Sequence, residues 1–197
     1  MKVYTTKDKT NCGPCAFINL TGIKGNKKVE RKLAKECKLK PFQASSYILF
    51  LIGGYIYQKN LIVYTCSKRL NNKMFKLMFR YGKIPEQLHR KYKKLAMDRF
   101  DKTSKRFSKN IKHLKDPIKK LDLLLGKGYK VGVLNSSFYF QKNPVPHWIV
   151  AFKKEKGEYC FMCSKKGIVR LKKEQILKGF KINKKYRYYP VLVAYKK

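Results

Sequence analysis

Two short segments of this chain carry residues that are suited to do chemistry together. Asn11-Cys12-Gly13-Pro14-Cys15 places a thiol at the start of an apolar stretch, and Pro146-His147-Trp148 places a histidine at the start of a β-branched run. A cysteine nucleophile needs a lowered pKa, a nearby base and donors for a developing oxyanion. The N-terminus of a helix beginning at Cys12 supplies the first, and His147 supplies the second. The pair predicts a nucleophilic thiol with a neighbouring base.

The elements that position these residues are predicted from apolar spacing and from boundary signals. Helices are predicted from Cys12 to about Gly22, over 29–37, 43–52 and 117–125, and as basic amphipathic helices between Pro85 and about Lys112. Asp116 is the expected N-cap of the helix that begins at Pro117. Strands are predicted over 61–65, 129–135, 148–152, 159–163 and 190–195, with a further helix over 172–180.

This order of elements predicts an α+β fold, because helices come first and an antiparallel sheet comes last. The predicted helical lobe spans about 12–126 and the sheet lobe about 129–197. A chain of 197 residues with 44% apolar residues is able to bury one core, so a single domain over 1–197 is expected.

The two segments and their separation resemble the double-glycine leader peptidases of bacteriocin exporters and their free-standing relatives. The first resemblance lies in Thr10-Asn11-Cys12-Gly13-Pro14-Cys15-Ala16, which matches the family's Asp/Thr-Cys-Gly-Pro-Ala at a helix start. The second lies in the strand 130–134 followed by His147-Trp148-Ile149-Val150-Ala151. A helix starting at Lys172 fits the family's helix after the hairpin. The resemblance covers most of the chain and implies a papain-like cysteine peptidase fold.

The resemblance also implies roles for individual residues. Cys12 is the expected nucleophile, with a thiolate stabilised by the helix N-terminus and by His147 as imidazolium. His147 then protonates the leaving amine and activates water or another acceptor. The implied activity is that of a cysteine peptidase or a related thiol acyltransferase, which acts on a peptide or protein substrate through an acyl-thioester.

The chain departs from the family at two catalytic positions. Thr6 stands where the family has an oxyanion-hole glutamine, six residues before the nucleophile. Cys163 stands where strand counting places the orienting aspartate, and no aspartate follows His147 in the chain. Cys163 is therefore the expected third catalytic residue, while Thr6 and Asn11 are the expected oxyanion-hole residues. Trp148 is expected either to contact substrate or to pack in the core against the Cys12 helix.

The cysteines allow two other interpretations. Cys12-Gly-Pro-Cys15 matches the thioredoxin redox motif, but the polar residues before it do not form the central strand of that fold. Cys12-x-x-Cys15 and Cys160-x-x-Cys163 have the spacing of zinc ligands. Because residues three apart on a strand point to opposite faces, Cys160 and Cys163 are poorly placed to share a metal. No metal or other cofactor is predicted.

The charge of the chain is strongly basic, with 49 Lys and Arg against 11 Asp and Glu. Such a charge attracts nucleic acid and other polyanions, although lysines spread over every segment also fit a general compositional bias. An alternative function is therefore a catalytically impaired papain-like module that binds nucleic acid or an acidic peptide. The N-terminus lacks the apolar core of a signal peptide, and no apolar run is long enough to span a bilayer, so a cytoplasmic location is expected.

Overall fold

The computed structural model describes residues 3–6, 8, 11–37, 46–67, 70, 72–138 and 145–196. Its α-helices are α1 Cys12–Thr21, α2 Lys27–Cys37, α3 Ile48–Ile56, α4 Asn72–Gly82, α5 His89–Arg106, α6 Pro117–Gly126 and α7 Lys173–Lys185, and short 3-10 turns lie at Glu86–Leu88 and Ser108–Asn110. Its strands are β1 Ile62–Thr65, β2 Ile111–His113, β3 Lys130–Ser136, β4 Pro146–Glu155, β5 Glu158–Cys163, β6 Gly167–Lys172 and β7 Val191–Tyr195.

Local signals set the ends of several helices. The Asp116 side chain accepts hydrogen bonds from the N–H groups of Ile118 and Lys119, both at 2.9 Å, and Pro117 occupies the first turn. The predicted N-cap of this helix is confirmed. At the end of α1, Gly22 adopts a left-handed conformation with φ of 67° and donates to the carbonyl of Ile18. This is the usual termination by glycine, which adopts positive φ without steric cost.

The seven strands form one open sheet in the order β2-β1-β7-β3-β4-β5-β6. All neighbouring pairs are antiparallel except β1 and β2, which are parallel. The sheet is therefore mixed, and the expectation of an antiparallel sheet is wrong at this pair. Both strands lie in the segment assigned to the helical lobe, so the two predicted lobes share one sheet.

Helices cover both faces of this sheet. On one face, α1, α2, α3 and α5 pack against a cluster that contains Trp148 and Val150. On the other face, α6 and α7 pack against a cluster that contains Ile149 and Phe161. Successive residues of β4 thus alternate between the two layers, as the pleat of a strand requires. The architecture confirms the α+β class and fixes which face each residue of β4 meets.

Within the described residues, no helix has both the length and the apolar content that a bilayer crossing demands. The most apolar helix, α3, has only 9 residues and packs inside the protein, where Ile48, Leu49 and Phe50 are fully buried.

Candidate active site around Cys12 and His147

The predicted nucleophile is the first residue of α1. Cys12 is partly exposed, whereas Cys15, one turn later, is fully buried. The N–H of Cys15 donates to the Asn11 carbonyl and closes the first turn. An α-helix leaves the N–H groups of its first turn without intrahelical acceptors, so the Cys12 thiol lies where a negative charge is stabilised.

The second cysteine of the motif has a different environment. Burial raises the pKa of the Cys15 thiol far above its usual range, and the negative charge of Glu30 adds to this effect. Cys15 is therefore a neutral, inaccessible thiol, which matches a small core residue. Of the two cysteines, Cys12 alone is accessible to a substrate or an alkylating reagent.

A buried carboxylate organises the segment that leads to Cys12. Glu30 of α2 is 1% exposed and accepts hydrogen bonds from Tyr4 Oη at 2.8 Å, Thr6 Oγ1 at 2.9 Å and Asn11 Nδ2 at 2.6 Å. Lys27 Nζ completes the set as an ion pair at 3.3 Å. Burial alone raises the pKa of Glu30, but the hydrogen bonds from Asn11, Tyr4, Thr6 and Lys27 outweigh it and lower the pKa below its ordinary value.

These contacts occupy the side-chain protons of the two predicted oxyanion-hole residues. The single hydroxyl proton of Thr6 is donated to Glu30. The Asn11 amide donates to Glu30 and, at 3.1 Å, to Asp8 Oδ2. In this arrangement Thr6 and Asn11 hold the chain in place before Cys12. The helix N–H groups are left as the donors best placed for an oxyanion.

The predicted base contacts the residue that stands in the aspartate position. His147 Nε2 lies 3.4 Å from Cys163 Sγ, and the two residues are 16 positions apart in sequence. His147 is 4% exposed and Cys163 is fully buried. A thiol at this position is able to fix the orientation of the imidazole, but it carries no charge to stabilise an imidazolium.

Strand register determines which face of the sheet holds this pair. His147 lies directly opposite Asn135 on β3, and Ile149 lies directly opposite Cys163 on β5. Ile149 and Cys163 belong to the cluster that packs on α6 and α7. Since His147 is two residues before Ile149, it shares that face. Cys12 lies with α1 on the other face, so the sheet separates the body of α1 from the imidazole.

Hydrogen bonds from the turn between β5 and β6 connect the two sides of the candidate site. The N–H of Thr6 donates to the Ser164 carbonyl at 3.0 Å, and Lys165 Nζ donates to the carbonyls of Thr6 at 3.3 Å and Asp8 at 2.6 Å. Residues 164–166 form the turn between β5 and β6. The segment before Cys12 is therefore tied to the strand end that carries Cys163.

The imidazole is neutral at pH 7. Burial and, to a smaller extent, the positive charge of Lys165 together lower the pKa of His147 to about 4. The same ammonium opposes the raised pKa of the Cys15 thiol. His147 is thus neutral in the free protein, where its burial disfavours proton uptake and the imidazolium–thiolate pair expected from sequence.

Trp148 lies in the core. It is 1% exposed, and its ring centroid lies 4.6 Å from that of Phe50 in α3. The geometry supports a packing role and offers no surface for substrate contact.

Several polar residues of the site have no obvious signal in the sequence. Glu30 looks like one charge among lysines, although its spacing to Leu33 and Cys37 places it on the buried stripe of α2. Asn135 and Asn183 are each 1% exposed. In the described part of the chain, the Asn135 amide nitrogen and both side-chain atoms of Asn183 lack hydrogen-bond partners. Asn135 lies beside His147 and against Gly179 of α7, which adds polarity to the imidazole's surroundings.

The two Cys-x-x-Cys pairs are not joined in one cluster. Tyr159, Phe161 and Cys163 pack on the α6–α7 face, so alternation directs Cys160 to the opposite face. Among the residues that the structure describes, no three His, Cys, Asp or Glu side chains are grouped as metal ligands. All six cysteines are free thiols.

Comparison with models of known protein families and with curated protein sequences finds no match to this chain.

Proposed function

We propose that the protein is a thiol-dependent peptidase or acyltransferase in which Cys12 is the nucleophile and His147 is the base. The observation that carries the proposal is the contact between His147 and Cys163, because it supplies an oriented, neutral imidazole. Cys12 adds a partly exposed thiol at the N-terminus of a helix that packs on β3, β4 and β5.

The reaction follows from these groups. The Cys12 thiol transfers its proton to His147 as sulfur forms a bond to the amide carbonyl carbon. N–H groups of the first turn of α1 stabilise the oxyanion. The imidazolium then donates its proton to the leaving amine, the C–N bond breaks and a thioester forms. Water or an acceptor amine then attacks the thioester and gives its proton to His147. The C–S bond breaks, and the imidazolium returns that proton to the Cys12 sulfur, which restores the free thiol.

The sheet imposes one geometric requirement on this mechanism. Because His147 and the body of α1 lie on opposite faces, proton transfer has to pass around the start of β4, where His147 is the second residue. The tie between Thr6 and Ser164 brings the segment before Cys12 to the same end of the sheet. The proposal therefore requires that substrate binding bring the Cys12 thiol to His147, because the two lie on opposite faces of the sheet in the free protein.

The test is the rate of iodoacetamide labelling of each cysteine against pH, read by peptide mass spectrometry. Burial of its sulfur raises the pKa of Cys66, so free glutathione in the same reaction serves as the ordinary thiol. Cys15 is fully buried, so its labelling reports loss of the fold. We expect Cys12 to react faster than glutathione below the usual thiol pKa of about 8.5.

Two variants distinguish activation of the Cys12 thiol by His147 from activation by the helix N-terminus alone. His147→Ala is expected to slow Cys12 labelling at pH 6 to 7 without exposing Cys15. His113→Ala is the control, because His113 is exposed on β2. Labelling of Cys12 that follows free glutathione at every pH, and that His147→Ala leaves unchanged, would contradict the proposal.

A further inference from the structure

An open groove lies between the C-terminal ends of α3 and α5. It is lined by side chains that include Tyr55, Gln58, Lys59, Asn60, Phe107 and Asn110. None of these residues belongs to the candidate active site. We propose that this groove binds a base of a single-stranded nucleic acid, a function that does not depend on Cys12 or His147.

The groove presents an aromatic ring to solvent. Tyr55 is 63% exposed, the highest exposure among the large hydrophobic residues that the structure leaves at the surface. Its ring meets Phe107 edge to face, with centroids 6.2 Å apart at 61°. A single exposed aromatic is common on protein surfaces, but this ring lines a groove. A planar base is the partner that a flat, accessible ring accommodates best.

A guanidinium fixes the orientation of this ring. The Arg106 guanidinium carbon lies 4.5 Å from the Tyr55 centroid and 5.4 Å from the Phe107 centroid. Such cation–π contacts hold the ring in place while most of its surface stays accessible. Arginine beside a stacking platform also provides a donor for a phosphate. Tyr55 and Arg106 together thus match a base and its backbone.

Amide side chains occupy the rest of the groove. Asn110 Nδ2 donates to the Leu61 carbonyl at 3.0 Å and to Asn60 Oδ1 at 3.4 Å, which fixes both asparagines beside the ring. Gln58 and Asn60 are exposed. Amides carry both donors and acceptors, so they are able to pair with the polar edges of an unpaired base.

The charge around the groove is positive. Lys105 and Arg106 lie in the last turn of α5, and Lys109 follows in the next turn. No acidic residue lines the groove, within the residues that the structure describes. With a net charge of +38, the protein attracts any polyanion. The exposed ring and the amides favour an unpaired base over an acidic peptide, because acidic side chains offer no ring to stack. They also favour it over a duplex, because the bases of a duplex are already stacked on one another.

The test is fluorescence anisotropy with labelled 12-nucleotide oligo(dT) and oligo(U) over a range of salt concentrations. Tyr55→Ala is expected to weaken binding by about 5- to 150-fold, the range that alanine substitution gives for one stacked base. Tyr55→Phe keeps the ring and is expected to bind within about twofold of the native chain.

Arg170→Gln is the matched charge control, because Arg170 is exposed on β6, far along the sheet from β1. It is expected to change the affinity and the salt slope little, because it lies outside the groove and neutralises no phosphate there. Equal losses for Tyr55→Ala and Arg170→Gln would overturn the proposal. The proposal would also be overturned if a duplex of the same length, or polyglutamate, bound as tightly as the single strands and if that binding were weakened by Tyr55→Ala.

Discussion

Asn11 Nδ2 donates to Glu30 Oε1 at 2.6 Å, so the residue before the candidate nucleophile is held by a buried carboxylate. The same carboxylate holds Tyr4 and Thr6. One acidic side chain therefore positions the whole segment that enters α1. Its contribution to stability and to the site is open to direct measurement.

Glu30→Gln is expected to lower the free energy of unfolding by about 3 kcal/mol, because a buried charge with several donors is replaced by a neutral amide. The pKa of Glu30 is lowered by folding, so its stabilisation is complete above the ordinary carboxyl pKa and is lost as pH falls below it. Urea unfolding at several pH values measures both effects. Glu36→Gln, on the exposed side of the same helix, is the control and is expected to change little.

The burial of His147 makes stability sensitive to mild acid. Its pKa falls from 6.5 to about 4 on folding, so acid favours the unfolded chain between these values. The stabilisation is complete above pH 6.5 and is lost as pH falls toward 4, a loss on the order of 3 kcal/mol. Urea unfolding between pH 7 and pH 4 is expected to show a shallower pH slope for His147→Ala than for His113→Ala. Equal slopes would contradict the neutral, buried imidazole.

Gly179 is required by the contact between α7 and β3. A Cβ at this position would overlap the side-chain oxygen of Asn135. Glycine to alanine inside a helix normally stabilises by about 1 kcal/mol, but Gly179→Ala is expected to destabilise. Gly126→Ala in α6, where a Cβ meets open space, is the control and is expected to stabilise.

A double-mutant cycle with Asn135→Ala isolates this contact. With the amide removed, Gly179→Ala is expected to recover the ordinary gain in helix propensity, measured by thermal or urea unfolding. A destabilisation that persists unchanged in the double variant would show that another contact is responsible.

Asn183 and Asn19 are buried amides with opposite hydrogen-bonding states. Both side-chain atoms of Asn183 lack partners in the described structure, whereas Asn19 pairs with the backbone N–H and carbonyl of Tyr4 at 2.8 and 2.9 Å. Asn183→Ala is expected to stabilise the fold by about 1 kcal/mol, since an unsatisfied buried amide is removed. Asn19→Ala is expected to destabilise it by about 1 to 3 kcal/mol. Unfolding curves of the two variants show whether each substitution raises or lowers the free energy of unfolding.

Local signals in the sequence predict those helices and strands whose formation depends mainly on their own residues. Pro14, Asp116 and Gly22 mark helix ends through effects that operate within one turn, and the structure has those helices. β2 is different, because its three residues lie in a basic stretch and become a strand only by pairing with β1. β6 was not predicted either. It is an edge strand in which Leu171 is the only buried residue, so its apolar residues show no clear buried pattern in the sequence.

The candidate site is predictable in its residues but not in its arrangement. Counting along two antiparallel strands is enough to expect Cys163 beside His147, because register between neighbouring strands is regular. Which face of the sheet α1 covers depends on tertiary packing, and sequence spacing does not reveal it. The burial of Glu30 has the same cause, since its hydrogen-bond donors come from residues distant in the chain.

The position of β7 has a consequence for the order in which the protein is made. β7 pairs with β1 on one side and β3 on the other, so it is the only described strand that joins the β1–β2 pair to the β3–β6 meander. During synthesis both groups are made before Val191–Tyr195, and the sheet gives them no shared hydrogen bonds until β7 follows. The nascent chain therefore exposes two unpaired strand edges until then, and completion of the sheet waits for contacts of high sequence separation, which form slowly.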